Sequence, residues 1–242
     1  MRSENGPGGQ PDEGTGGPGS GKAAPEPERS LIEKVRRAQI IEAAIEVIAE
    51  RGFAKASMAQ IAQRAGVSKG VISYHFAGKN ELIERTVEQV YEALGSFVQS
   101  RLAGQTGAAA WLRVYIGSIA AHMADHRSQL AALGEIFTHF RTDDGELRYG
   151  IASSEPLYAH VEDVFRAGQR SGELRAFDAR VMAVSLQAAI DHMFAYWSTH
   201  PEHDLAAHAR ELVDLFWHAT RAQHPDDDRA DGGPDDHHPA LS

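Results

Sequence analysis

The chain has 242 residues, enough for one large domain or two small ones and for a sizeable hydrophobic core. It contains no cysteine, which excludes disulfide bonds, thiolate metal sites and thiol nucleophiles and favours a reducing compartment. The 24 Lys and Arg residues against 34 Asp and Glu residues give a net charge of −10, a balance that taken alone argues against a nucleic acid partner.

Both ends of the chain are too polar to fold. Residues 1–28 contain eight glycines and five prolines, and residues 225–242 contain six aspartates and three prolines. Since such segments bury too little apolar surface to offset the entropy of ordering, we expect a disordered arm and a disordered acidic tail. No apolar stretch is long enough for a signal peptide or a membrane span, so we expect a soluble protein of the cytoplasm.

The central part of the chain has the pattern of an all-α protein. Its apolar residues recur at spacings of three and four, with Gly or Pro at helix-like intervals. Residues 29–79 carry nine Lys and Arg against four Asp and Glu, whereas residues 80–242 carry 13 against 25. A compact basic segment beside an acidic one is typical of a DNA-binding domain, here 29–79, joined to a domain with another role, here 80–224.

Three short helices are predicted in the basic segment. The first covers residues 36–51 and ends at a glycine. Ser57 and Gln60 have the spacing of a capping box that starts the second helix, and Ser68 can cap a third helix over 69–76. Two short helices joined by a glycine-containing turn indicate a helix-turn-helix unit.

The residues of this unit resemble a known family. Residues 58–76 read M-A-Q-I-A-Q-R-A-G-V-S-K-G-V-I-S-Y-H-F and are followed by Lys79 and Leu82. The combination I-A-x-x-A-G-V-S-x-G, then H-F, then K-x-x-L resembles the DNA-binding domain of the TetR family of transcriptional regulators, over roughly residues 36–85. The resemblance implies an amino-terminal three-helix helix-turn-helix domain and a helical domain for effector binding and dimerisation.

The resemblance also implies a mode of action. The protein would be a homodimer in the bacterial cytoplasm, associated with the nucleoid when its two recognition helices enter successive major grooves of a near-palindromic operator. We expect a repressor that a small-molecule effector releases from DNA by changing the spacing of the two DNA-binding domains, or heads, of the dimer. Two positions depart from the family pattern: Ser73 stands where a tyrosine is common, and Gly78 where a Ser or Thr cap is usual.

Candidate DNA contacts cluster around the third predicted helix. Its first turn is expected to discriminate bases, while Tyr74, His75 and Lys79 would contact phosphates. Alternatively, the serines act only as caps, His75 packs beneath the helix, and Lys79 is merely solvated. The candidates are Ser57, Ser68, Lys69, Gly70, Val71, Ser73, Tyr74, His75 and Lys79.

The acidic segment is predicted to form a connector helix over 79–102 and further helices over 109–125, 128–141, 154–171, 178–199 and 204–222. The last two have apolar faces, at Val181, Val184, Leu186 and Ala188 and at Leu205, Leu212, Val213 and Phe216, that could pair with the same helices of a partner subunit. Aromatic and polar residues on these helices are candidates for effector binding, with ordinary core packing as the alternative for each. They are Trp111, Tyr115, His122, Phe137, His139, Phe165, His192 and Tyr196.

The sequence gives little support for a metal site, a cofactor site or a catalytic centre. His122 and His126 stand at i and i+4 without a motif that supplies a third ligand. The segment 16–22 resembles a phosphate-binding loop, but Ala23 replaces the residue that binds magnesium. Glu135 and Asp191 have no spacing that commits them to catalytic roles. We therefore expect no cofactor, no metal and no enzyme activity. Two alternatives to a ligand-released repressor stay open: a DNA-binding regulator without a small ligand, and a helical binding or catalytic protein with a vestigial head.

Overall fold

The computed structural model describes residues 26–222, and this part of the chain is helical, with only two isolated β-bridges. The all-α prediction is confirmed. The arm over 1–25, the segment 16–22 and the tail over 225–242 lie outside the described residues. The helices are α1 (Glu26–Arg51), α2 (Met58–Arg64), α3 (Lys69–His75), α4 (Lys79–Leu102), α5 (Ala108–Asp125), α6 (Arg127–His139), α7 (Glu155–Ser171), α8 (Ala179–Thr199) and α9 (Leu205–Thr220), with a 3-10 turn (Ile151–Ser154) before α7.

Helix α1 is longer than the sequence pattern suggested. It begins at Glu26 instead of residue 36 and so includes residues 26–28, which were assigned to the arm. Leu31, Ile32 and Val35 continue the helical spacing, and proline is tolerated in a first helical turn because its missing N–H has no partner there. These three side chains are exposed. They therefore belong to no buried apolar stripe from which the sequence pattern could predict a helix.

The helix-turn-helix unit is held by a small core and by side-chain caps. Ile61 of α2, Ile72 of α3 and Phe76, the residue after α3, are fully buried. Helices this short are marginal alone, so this burial stabilises them. The predicted capping box is confirmed: the backbone N–H of Gln60 donates to Ser57 Oγ at 3.3 Å, and that of Ser57 donates to Gln60 Oε1 at 3.0 Å.

The two remaining helix starts of this region use different caps. Ser68 Oγ accepts from the backbone N–H of Val71 at 3.2 Å, as predicted. Gly78 provides no side-chain cap for α4. Glu81 in the first turn accepts from the backbone N–H of Ala77, the residue before Gly78, at 2.6 Å. Its carboxylate also lies at the positive end of the helix dipole.

Helices α4 to α9 form the body. Their bounds lie within two residues of the predicted ones, and α5 packs against α4 and α9 while α7 packs against α8. Gly172 ends α7 in the left-handed conformation (φ 79°). The next residue, Glu173, accepts from the backbone N–H groups of Ala108 and Ala109 at 2.7 and 3.0 Å and thereby caps α5. No helix of the described region is long and apolar enough to cross a membrane.

Candidate functional sites

Helix α3 presents a polar, exposed side. Lys69, Gly70, Ser73 and Tyr74 are exposed, and the Tyr74 side chain is 75% accessible. Ile72 on the opposite side is fully buried and fixes the helix in place. The structure therefore brings four of the predicted DNA-contacting residues to one accessible surface, with Val71 half-buried beside them.

His75 and Lys79 are more engaged with the protein than the sequence suggested. The His75 ring lies edge-on to Tyr74 at 5.0 Å, and its backbone carbonyl accepts from the Arg37 guanidinium. Lys79 Nζ donates to the carbonyl of Phe53 at 2.9 Å and lies 4.4 Å from the Phe53 ring centroid. Burial lowers the pKa of Lys79. Lys79 thus anchors the turn after α1, and its contact with a phosphate stays a prediction.

Phe53 also joins this turn to α6. Its backbone N–H donates to Glu135 Oε2 at 2.9 Å, and its ring lies 5.6 Å from that of Phe140, the residue that follows α6. Gly52 adopts φ 81°, and a Cβ there would meet the Glu135 carboxylate at 3.1 Å. A glycine is therefore required for this close approach.

Part of the predicted effector set lies inside the body in two aromatic groups. Trp111 stacks on Tyr115 at 4.4 Å and meets Phe165 edge-on at 6.5 Å. Phe137 lies 6.3 Å from Tyr91 and 5.4 Å from Tyr149. The first group is carried by α5 and α7, whereas the second joins α4, α6 and the loop that follows α6.

His122 has an unusual environment on the interior side of α5. Its side chain is buried, its ring stacks on His126 at 4.1 Å, and its Nε2 has no hydrogen-bond partner. Burial lowers the pKa of His122, and neighbouring His126 adds to this effect. The described residues contain no group of three or more His, Asp or Glu side chains that could hold a metal ion.

Three predicted effector residues lie elsewhere. His139, His192 and Tyr196 are exposed, because they project from the outer sides of α6 and α8. The His139 ring is 3.5 Å from Glu135, and Tyr196 stacks on His200 at 4.1 Å. The structure does not bring these three side chains together with the interior aromatic groups.

A polar pair on α8 was not among the predicted effector residues. Gln187 Nε2 donates to Asp191 Oδ1 at 2.7 Å, and Asp191 forms no ion pair within the described chain. Asp191 and Tyr91 are both exposed to solvent, but surrounding protein atoms raise the pKa of each, that of Tyr91 to about 12. The pKa of Tyr115 is also raised, first by burial and then by the charge of Asp191. The sequence signal was weak: Asp191 is the single acidic residue of α8.

A separate groove of about 440 Å³ runs between α5 and α9. Small side chains such as Gly117, Ala120 and Ala209 line it, together with Arg113 and Arg210. None of the predicted effector residues lies in this groove.

Comparison with known proteins agrees with the helix-turn-helix geometry. Residues 40–86 match the family model of bacterial regulatory proteins, tetR family. The HTH-type transcriptional regulator BetI of Yersinia pestis (strain Pestoides F) is 46% identical over 72 residues, which are 30% of this chain and 36% of that protein. BetI of Pectobacterium carotovorum subsp. carotovorum (strain PC1) is 45% identical over 75 residues, 31% of this chain and 38% of the relative. The chain thus spans little more than a third of the length of these curated relatives.

Solved structures share the fold over a longer stretch. FadR from Bacillus subtilis, in complex with stearoyl-CoA, has a TM-score of 0.64 and 25% identity, and the match covers 74% of this chain and 96% of that one. A transcriptional regulator from Saccharomonospora viridis, in complex with choline, has a TM-score of 0.67 and 21% identity over 78% of this chain and all of its own. These structures share the arrangement of a helix-turn-helix unit followed by a helical body. Residues 40–86 thus carry the helix-turn-helix of the TetR family of transcriptional regulators, and the described helices share the fold of TetR-like solved structures.

Proposed function

We propose that this regulator is a repressor that binds a near-palindromic operator as a homodimer and leaves it when a small effector binds the body. The observation that carries the proposal is the exposed polar side of α3, which is fixed by the buried Ile72. A short helix whose outer side chains are accessible and whose backbone is anchored can enter a major groove as a rigid unit.

Two kinds of DNA contact are proposed for this surface. Lys69, Gly70, Val71 and Ser73 lie at or near the start of α3, where base edges would be read. Tyr74 and His75 lie towards its end and, with Ser57, Ser68 and Lys79, would hold phosphates. Ser68 Oγ accepts from one N–H as a cap, and its hydroxyl can still donate to a phosphate oxygen. Ser57 Oγ already donates to Gln60 Oε1 at 3.2 Å, so its proposed phosphate contact would replace that bond.

Each of the two heads of a dimer would place its α3 in one of two successive major grooves of the operator. In such an arrangement the half-sites lie roughly 34–36 Å apart, so the symmetry of the dimer appears as an inverted repeat in the DNA. The proposed dimer surface includes the exposed Val181 and Val184 of α8. Leu186, Leu205, Leu212 and Phe216 are instead buried in the core of a single chain and are not available to a partner.

The effector is proposed to bind among the interior aromatic residues of the body. His122 Nε2 and Gln187 Oε1 are buried polar atoms that have no hydrogen-bond partner among the described residues. The choline and stearoyl-CoA found in the two solved relatives support a body that takes a small ligand. If the effector lowers operator affinity by some factor, operator DNA lowers effector affinity by the same factor.

The first experiment is selection of bound DNA from a random duplex library with the full chain, followed by measurements on two lysine variants. An enriched inverted repeat is expected. Lys69→Ala should alter base preference in the half-site and cost about 1–3 kcal/mol on the preferred sequence.

Lys55→Ala is the matched control, because Lys55 is exposed in the turn between α1 and α2 and carries the same charge. It should leave base preference unchanged. Absence of an inverted repeat would contradict the dimeric operator. An equal loss of affinity for every sequence with Lys69→Ala would contradict base reading by Lys69.

A further inference from the structure

The groove between α5 and α9 carries two arginines whose charge the described residues do not neutralise. Arg113 of α5 and Arg210 of α9 both line the groove and are exposed. Neither forms an ion pair or a hydrogen bond with residues 26–222. Asp214 is the single acidic residue of the lining, so the groove keeps a net positive charge. Such a groove is complementary to an acidic partner.

The rest of the groove lining is mostly small and apolar. Gly117 and Ala120 contribute to it from α5, and Ala206 and Ala209 contribute from α9. Because these side chains are short, they leave an open groove of about 440 Å³ between the two helices. The groove therefore has room for an additional segment of polypeptide beside its two arginines.

The last described residue lies beside one end of this groove. The backbone N–H of Ala222 donates to the carbonyl of Glu173 at 3.0 Å, and the Glu173 carboxylate caps α5 at Ala108. Helix α9 therefore ends where α5 begins, and the two helices run antiparallel. At 1.5 Å per residue, Arg113 is about 8 Å along α5 from Ala108, and Arg210 is about 18 Å back along α9 from Ala222.

The chain that continues from Ala222 is acidic. Three aspartates occupy 226–228, four to six residues after Ala222, and Asp231 follows nine residues after it. At about 3.3–3.6 Å per residue, an extended chain covers roughly 13–22 Å to the first three and roughly 30 Å to Asp231. Both Arg113 and Arg210 are therefore within reach of an aspartate of the same chain.

We propose that the acidic tail over 225–242 docks in the groove between α5 and α9 of its own chain, where its aspartates pair with Arg113 and Arg210. Arginine binds carboxylates through two parallel hydrogen bonds, which makes such pairs strong. The covalent connection raises the effective concentration of the tail to the millimolar range, so that weak pairs suffice. A segment too polar to fold alone can still order against a partner of opposite charge.

The docked tail would hold α9 against α5. This inference goes beyond the proposed function, because the groove lies outside both the helix-turn-helix unit and the interior aromatic groups and contains none of the predicted effector residues.

Disulfide cross-linking in the full chain tests the docking, because the chain contains no cysteine of its own. Val213→Cys places a thiol in the groove, and Ala230→Cys places one between Asp228 and Asp231. The matched pair is Leu215→Cys with Ala230→Cys, since Leu215 is also on α9, is 61% accessible and does not line the groove. A free tail would reach the more exposed position 215 more readily. A docked tail should cross-link to position 213 at least five times faster than to position 215.

Charge variants test the pairing with arginine. Arg113→Gln with Arg210→Gln, or about 0.5 M NaCl, should reduce the preference for position 213 to less than twofold, because each weakens the ion pairs. Arg51→Gln with Arg170→Gln removes the same charge from exposed positions outside the groove and should leave the preference unchanged.

Three results would overturn the proposal. The first is cross-linking to position 213 that is no faster than to position 215. The second is a preference that survives the loss of both Arg113 and Arg210. The third is a preference found only in cross-links between two chains, which migrate as dimers in a denaturing gel. Because the measurement involves neither DNA nor an effector, its outcome is independent of the proposed function.

Discussion

Lys79 shows how one residue can serve both the fold and the function. Its ammonium group donates to the Phe53 carbonyl and lies over the Phe53 ring. A lysine held in this way retains two further N–H donors, which could still reach a phosphate. The sequence motif identified the residue type but could not reveal that its first partner is within the protein.

Lys79→Met tests the anchoring role, because methionine keeps much of the apolar stem and removes the charge. We expect a loss of about 1–2 kcal/mol in the free energy of unfolding, from the hydrogen bond and the ring contact. Urea unfolding at fixed protein concentration measures it. Lys69→Met, at an exposed position of α3, should change stability by less than about 0.5 kcal/mol.

DNA binding distinguishes whether Lys79 also contacts a phosphate. If it does, Lys79→Met lowers the salt dependence of DNA binding by about one phosphate contact. A variant as stable as the parent protein would contradict the anchoring role and leave only the phosphate contact.

Contacts between residues close in the sequence were predictable, whereas contacts between residues of different helices were not. Ser57 and Gln60 stand three residues apart and bond to each other's backbone, so their sequence spacing alone determines the cap. Tyr91 and Phe137, whose ring centroids lie 6.3 Å apart, come from α4 and α6. Their contact depends on how these two helices pack, which periodicity does not specify.

At the scale of elements, α6 links the interior of the body to the helix-turn-helix unit. Its Phe137 contacts Tyr91 and Tyr149, while Glu135, two residues earlier, accepts from the backbone of Phe53. Lys79, the first residue of α4, holds the carbonyl of the same Phe53. The route through α4 that the sequence suggested and the route through α6 therefore converge on Phe53, and a ligand that shifts either helix would move it.

Glu135→Ala tests this link. Removal of a charged acceptor from the Phe53 N–H should cost about 1–3 kcal/mol in the free energy of unfolding. It should also speed amide hydrogen exchange in the segment around Phe53, measured by mass spectrometry. Glu146→Ala, which removes the same charge from an exposed loop position, should change neither quantity. Unchanged exchange around Phe53 in Glu135→Ala would exclude a stable link.

The sequence predicted the ends of a helix accurately wherever a buried apolar stripe ends at a glycine or begins at a capping residue. Gly172 and Asp178 bracket the turn between α7 and α8, and the predicted ends of these helices are within a residue of the observed ones. The start of α1 was missed because Leu31, Ile32 and Val35 remain exposed in a segment rich in charge. Helix formation there has no buried stripe to reveal it.

At the scale of the whole molecule, the exposed apolar residues of α8 form the surface proposed for the dimer. Val181 and Val184 are 61% and 39% accessible, and the exposed Ala188 continues their stripe along the helix. Residues at these spacings lie on one side of a helix, so a second copy of α8 could cover them together. The two heads of such a dimer would then bind one operator with a far higher effective concentration than two separate heads.

Replacement of both valines, Val181→Asp with Val184→Asp, should convert the dimer to a monomer, because two carboxylates would face the same charges across a symmetric interface. Sedimentation velocity would report the change in mass, and affinity for a complete operator should fall at least tenfold. Ile151→Asp is the control, since Ile151 is 82% accessible on the 3-10 turn, outside α8, and its replacement should leave the protein dimeric. A dimer that persists in the double variant would show that another surface joins the subunits, with Leu215 of α9, 61% accessible, as the next position to change.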